Sequence, residues 1–258
     1  MTDRRPADSR YHRATMTTAP SPAARAELAP TGKLRVGLNF GNFLLTKRPP
    51  PGGEPGGIAP DLGREIARRA GLAVAFVHYD QAGKLADGGK AGAWDVAFLA
   101  NEPVRAAEID FSPAYLEIET SYLVPAGSPI RTIAEVDRAG VRIAIADRAA
   151  YDLYLSRSLK HATLVRAEGI EGSYQLWVKE KLDALAGLKP RLVADAEKHP
   201  GSRVLDGSFS AVQQSVGTPK GRNAAAQYLR EFVADAKASG LVARVIAANG
   251  VRGVAVAP

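Results

Sequence analysis

The chain has 258 residues, 46% of them hydrophobic and 24% charged, a balance that fits a folded soluble protein and excludes both wholesale disorder and a membrane-embedded chain. It has no cysteine, which removes disulfides, thiolate metal sites and thiol nucleophiles. The formal net charge is +7, but no basic run interleaved with aromatic residues exists, Arg68-Arg69 reads as a solvated helix face, and nucleic acid is not an expected partner.

Residues 1–32 are rich in Pro, Ala, Arg, Ser and Thr without apolar periodicity, and read as an N-terminal extension lacking regular structure. No apolar stretch of about 7–15 residues follows the N-terminal arginines, so no secretory signal is visible, and nothing reaches the roughly 18 apolar residues of a membrane-spanning helix. From Lys33 onward short apolar strands alternate with helical patterns, the mark of an α/β architecture with largely parallel sheets. Leu34 to Leu38 is the first strand, followed by a Gly- and Pro-rich loop from Asn39 to Pro60.

Leu62, Ile66 and Ala70 share one face of a helix from Asp61 to Ala70, which Gly71 stops. A strand over Ala73 to Val77, a weak helix around Leu85, a strand over Trp94 to Leu99 and a short helix from Pro103 come next. Thr120 to Val124 is extended. Thr132 and Glu135 form the capping-box pattern of a helix through Arg138, ahead of a strand from Val141 to Ala146.

Helices Ala150 to Leu159 and Ile170 to Lys181 then alternate with strands Ala162 to Val165 and Leu182 to Ala186. The extended stretch Ala211 to Gly217 leads into helices Asn223 to Ser239 and Leu241 to Ala248. The pattern resets after Val124, and a second lobe starts there.

Several chemistries find no support. His12, His78, His161 and His199 are isolated, so no histidine metal site is expected and no cofactor is called for. Ser208 and Ser210 beside Gly207 lack the pattern of a nucleophile elbow. Gly83, Gly88, Gly89, Lys90 and Gly92 have the wrong spacing for a phosphate loop and read as turn markers.

The segment Trp94-Asp95-Val96-Ala97-Phe98-Leu99-Ala100-Asn101-Glu102-Pro103-Val104-Arg105, continued by Asp110-Phe111-Ser112-Pro113-Ala114-Tyr115, resembles the family 3 solute-binding proteins of amino-acid ABC transporters. The resemblance extends from about Lys33 to the end, with Gly57 to Gly71 similar to the first helix and Val216 to Gly250 to the hinge return and closing helices. It implies the two-lobed type II periplasmic binding fold, each lobe a mainly parallel sheet flanked by helices, a small-molecule ligand held between the lobes, an ABC permease as partner, a monomer, and a periplasmic location. On that fold Leu123 to Ala126 and Gln213 to Gly217 are the candidate hinge crossovers, residues 33–124 and 216–258 would form lobe 1, and residues 125–215 an inserted lobe 2. The unseen signal leaves a cytoplasmic location open.

The resemblance also carries site residues. Arg105 matches the ligand-binding arginine, whose planar guanidinium suits a carboxylate. Asn101 and Glu102 stand beside it, and Phe40, Asn42 and Phe43 follow the first strand where the family places ligand contacts. Three positions depart from the pattern: Glu102 replaces a threonine, Arg148-Ala149 replaces a Gly-Ser or Gly-Thr pair at a helix start, and Leu188 stands where an aspartate binds the amino group. Arg148 is read either as a second cationic contact or as a surface cap. Together these departures point to a carboxylate or other small anion rather than a standard α-amino acid. Tyr115, Tyr151 and Trp177 read as structural.

Two other readings stay in view. One is an enzyme similar to cyclohexadienyl dehydratase, which shares the fold and for which Glu102 is the candidate general acid. The other is a signal-less sensor or interaction module.

Overall fold

A computed structural model describes residues 19–258. The first described element, α1 (Pro22–Leu28), corrects part of the expectation for residues 1–32; residues 1–18 lie outside the described residues. Pro22 sits in the first turn, where its missing N–H costs nothing, and the Ser21 hydroxyl accepts from the Ala24 amide at 3.1 Å. Ala24 and Leu28, four apart, are buried and join the main core. Two small apolar contacts give too little periodicity to recognise such a helix from the sequence.

The strands β1 (Leu34–Asn39), β2 (Val74–Tyr79) and β3 (Val96–Ala100) form one parallel set, with helices α2 (Ile58–Ala70) and α3 (Ala82–Lys90) in the connections. Gly83, Gly88 and Gly89, expected at turns, lie within α3. A Cβ on Gly88 would stand 2.3 Å from the Tyr79 hydroxyl, and one on Gly89 2.6 Å from Trp94, so their smallness lets the helix lie directly on the Trp94 ring.

A short helix α4 (Pro103–Ala106) and strand β4 (Ile109–Phe111) lead to the long strand β5 (Leu116–Val124). The expected helix through Arg138 is a single 3-10 turn, Ile133–Glu135, although its capping box is present. The chain leaves the helical path because the Asp137 carboxylate accepts the amides of Lys160, His161 and Ala162, and Gly140 turns at φ +86°.

The second parallel set is β6 (Arg142–Ala146), β7 (Thr163–Ala167) and β8 (Ala184–Leu188), carrying α5 (Ala150–Ser158), α6 (Gly169–Glu180) and α7 (Lys189–Ala196). After β9 (Arg203–Val204), the strand β10 (Ser210–Pro219) runs antiparallel to β5, β3 and β4. The chain closes with α8 (Asn223–Ala238), α9 (Leu241–Ala248) and β11 (Ala255–Val256). Strand order is β2-β1-β3-β10-β5-β8-β6-β7, so β5 and β10 join the two parallel sets.

Burial follows the predicted faces. Leu62, Ile66 and Ala70 of α2, and Leu229, Phe232, Val233 and Ala236 of α8, are buried. The polar face of α2 carries a charged network: Glu65 accepts from Arg68 at 2.7 Å and Arg69 at 2.8 Å, and Arg69 reaches Asp235 of α8 at 2.6 Å.

The hydrogen bonds from Arg68, opposed by partial burial and reinforced by Arg69, hold the Glu65 carboxyl at about 2, well below its ordinary 4.5. A depressed carboxylate contributes stability that is complete above its unfolded value and is lost as pH falls through its folded one. The urea midpoint of the wild type is therefore expected to fall relative to Glu65→Gln between pH 4.5 and about 2. Parallel curves through that window would refute the assignment.

Candidate functional site

In parallel α/β sheets the loops at the carboxyl ends of strands surround the ligand. Here those ends converge: Asn39 of β1, Ala100 of β3, Ala146 of β6 and Leu188 of β8 line one cavity, closed behind by Val212 and Gln214 of β10. The centre of a water-sized sphere has about 60 Å³ of room in it, several times the ~10–15 Å³ that holds one water. A larger surface groove of about 990 Å³, lined by Phe43, Lys189, Phe209 and Val254, contains none of these four strand ends.

Arg105 enters the cavity from α4, whose first residue, Pro103, sets the turn while the Glu102 carbonyl accepts the Arg105 and Ala106 amides. Only 6% of the residue is exposed. Its Nη1 donates to the Ala100 carbonyl at 3.1 Å and its Nη2 to the Arg148 carbonyl at 2.9 Å, so one guanidinium bonds to both sides of the cleft. Among the described residues no carboxylate pairs with it. Burial, partly offset by the charge of Glu102, draws its pKa down to about 10, so it stays cationic at neutral pH.

Of the other residues singled out from the sequence, Asn42, Ala149 and Leu188 line the same cavity. Ala149 caps α5 without a side-chain hydrogen bond, and the amides of Ala150 and Tyr151 that follow have no partner among the described residues, leaving a helix N-terminus open to the cavity. Leu188, 4% exposed, makes its wall apolar where a carboxylate was expected from the resemblance.

The structure places four other residues singled out from the sequence outside the cavity lining. Phe40 turns into the core, its ring 4.6 Å from His78 with Arg48 over it, because the alternation of β1 continues through it. Asn101 is exposed and outside the cavity, held through its amide by the Gln213 carbonyl. Glu102 faces across the cleft and accepts from Arg157 at 2.9 Å, while its charge still acts on Arg105. Arg148 does not line the cavity. Its guanidinium bonds to both oxygens of Asp87 at 2.8 and 2.7 Å, and its carbonyl serves Arg105.

The structure adds lining residues that the sequence did not single out: Thr46, Gln81, Gln214, and the carboxylates Asp80 and Asp147. Tyr151, read as structural, also lines the cavity, and its buried hydroxyl lacks a partner among the described residues. Asp80 pairs with Arg48 at 2.5 Å and Asp147 with Arg166 at 3.9 Å. Asp80 and Asp147 directly follow strands, the one signal that could have drawn attention to them.

The model of the bacterial extracellular solute-binding proteins, family 3, matches residues 36–248. No curated protein matches the chain. Among solved structures, the chain is similar to a solute receptor for L-cysteine of Neisseria gonorrhoeae at 18% identity, covering 89% of this chain and 95% of that one with a TM-score of 0.75. It is also similar to a mutant of ArgBP from T. maritima, at 20% identity, 88% and 99% coverage and a TM-score of 0.73. An ancestral amino acid-binding protein, a precursor of cyclohexadienyl dehydratase, superposes with a TM-score of 0.72 at 18% identity over 87% of this chain and 98% of that one. At such identities these likenesses carry the fold, which is the two-lobed type II periplasmic binding fold. With the family pattern running through both lobes and the strand ends converging on one cleft, the chain belongs to the bacterial extracellular solute-binding proteins, family 3.

Proposed function

We propose that this protein is the substrate-binding component of an ABC-type uptake system and closes its lobes on a small carboxylate. The observation that carries this reading is Arg105: a buried guanidinium on the cavity wall, without a carboxylate partner among the described residues. A buried charge is costly unless paired, so the missing anion is the ligand's to supply. The open start of α5 adds a second favourable environment for negative charge.

The rest of the ligand is small and uncharged in this reading. The cavity is confined, Leu188 and Ile170 give it apolar walls, and Asp80 and Asp147 already have arginines beside them. A second reading, a zwitterionic amino acid, draws on Asp147, whose 3.9 Å pairing with Arg166 is loose enough for an ammonium to displace. Catalysis by Glu102 is disfavoured by its bond to Arg157, away from the cavity lining.

The lobes in this scheme are residues 33–124 with 216–258, and the inserted 125–215; β5 and β10, shared by both halves of the sheet, act as the hinge. Export and a permease partner complete the proposal, with the protein acting as a monomer. No helix among the described residues is long and apolar enough to cross a membrane.

Thermal-shift screening against small carboxylates, dicarboxylates, aromatic acids, amino acids and inorganic anions tests the reading, since a ligand that binds only the folded state raises its melting point. The expected hit is a small carboxylate with an uncharged remainder, recovered unchanged. A shift confined to cationic amino acids rejects the ligand class, and conversion of the compound transfers the assignment to the dehydratase-like reading.

A further inference from the structure

Arg148 occupies a position that neither cavity wall nor loop packing accounts for. It is one of two non-glycine residues with positive φ among the described residues, at +55°, a conformation that an L side chain adopts only against steric cost. The turn is held by its own amide, which donates to Asp152 at 2.8 Å; Asp152 is in turn held by Arg166 at 3.0 Å. In this conformation the Arg148 carbonyl meets the Arg105 guanidinium at 2.9 Å. A glycine would make the same turn without strain, so the arginine side chain calls for its own explanation.

That side chain crosses the cleft to α3. Both terminal nitrogens of its guanidinium, Nη1 and Nη2, donate to Asp87, at 2.8 and 2.7 Å, in the forked geometry that arginine makes with a carboxylate. Gly83 lies four residues before Asp87 on the same helix face. A Cβ there would stand 2.9 Å from the Arg148 Cβ and 3.1 Å from its Cζ, so the glycine leaves the hollow in which the arginine lies. Two further pairs span the same rim, Lys84 with Glu168 at 2.7 Å and Glu102 with Arg157 at 2.9 Å.

We propose that Arg148 is a positioning residue: its carbonyl sets the orientation of Arg105, and its guanidinium, clasped by Asp87, holds the lobes closed before any ligand enters. This rests on the reading of Arg105 as the ligand contact. The clasp is half-exposed on both sides, 48% and 61%, so dissolved salt screens it and the closed population falls as ionic strength rises. Ligand then binds to a site whose cation is already aimed, and lobe opening controls entry.

The test is small-angle X-ray scattering of the ligand-free full chain at about 0.05 M and about 0.5 M salt. The variants are Asp87→Asn, Arg148→Gly and the exchanged pair Asp87→Arg with Arg148→Asp. Aspartate tolerates the left-handed turn better than most residues, so the exchange tests the charge pair and not the backbone. Both single variants are expected to enlarge the radius of gyration by about 1 Å over a compact value of roughly 18 Å at low salt, as high salt does to the wild type. The exchanged pair is expected to restore the smaller value, which a purely structural role for either residue would not do. Asp87→Asn scattering like the wild type, or an exchanged pair that stays enlarged, overturns the proposal. No ligand is present in the experiment, so failure of the clasp leaves carboxylate binding standing, and failure of the ligand screen leaves the clasp standing.

Discussion

Arg105→Ala is expected to lower carboxylate affinity by roughly ten- to 150-fold, the equivalent of about 1.5–3 kcal/mol for hydrogen bonds to a charged group. The melting point without ligand should change little. Arg105 is buried beside two carbonyls and pairs with no carboxylate among the described residues, so its removal strands no opposite charge. Arg105→Lys should recover only part of the affinity, because an ammonium cannot present the planar fork or serve both Ala100 and Arg148. Calorimetric titration with the hit from the ligand screen measures both effects. Undiminished affinity in the alanine variant would place the ligand's anion elsewhere.

Asp95→Ala carries the largest expected cost in stability. Asp95 is fully buried and accepts the Arg35 amide at 3.0 Å, Arg35 Nε at 2.9 Å, Arg35 Nη2 at 2.8 Å and Arg222 Nη1 at 2.8 Å. Burial alone would raise its pKa, but the bonds from Arg35 and Arg222 outweigh that and hold it below the ordinary carboxylate value. One carboxylate thus ties the start of β1 to the approach to β3 and to the N-terminus of α8, while Arg222 also donates to the Glu27 carbonyl of α1.

Removing one partner of a buried ion pair leaves the other charge unmatched, at a cost of about 3–5 kcal/mol. Chemical denaturation should show that loss, with a fall in melting temperature on the order of ten degrees. A change below about 1 kcal/mol would mean that water replaces the carboxylate at this position.

The parallel sets and most of their helices were legible because a buried strand or an amphipathic helix writes its period into consecutive residues. The final helix, Leu241–Ala248, matches its expected limits, and Asn223–Ala238 differs from its expected span by one residue. The elements that escaped notice are short or weakly apolar. Strand β4 has three residues, and α7 buries only Leu192 and Asp195, one of them charged. Asp195 is hidden there because Arg191 and Lys198 neutralise it, at 2.7 and 3.0 Å, a pairing that no hydropathy pattern reveals.

The resemblance to the family 3 solute-binding proteins pointed to Asn42, Arg105, Ala149 and Leu188, which line one cavity, and the parallel sheets account for it by delivering the loops after β1, β3, β6 and β8 to the same side. What the sequence determined by itself was the alternation of elements and, through the motif from Trp94 to Tyr115 that resembles family 3, the two-lobed fold and the strand-end arginine. The tertiary structure alone decided which charges remain available to a ligand. Arg148 is drawn off by Asp87, 61 residues away, and Glu102 by Arg157, 55 residues away. A charged side chain is claimed by whichever opposite charge lies within a few ångströms, and that distance exists only once the lobes have folded against each other.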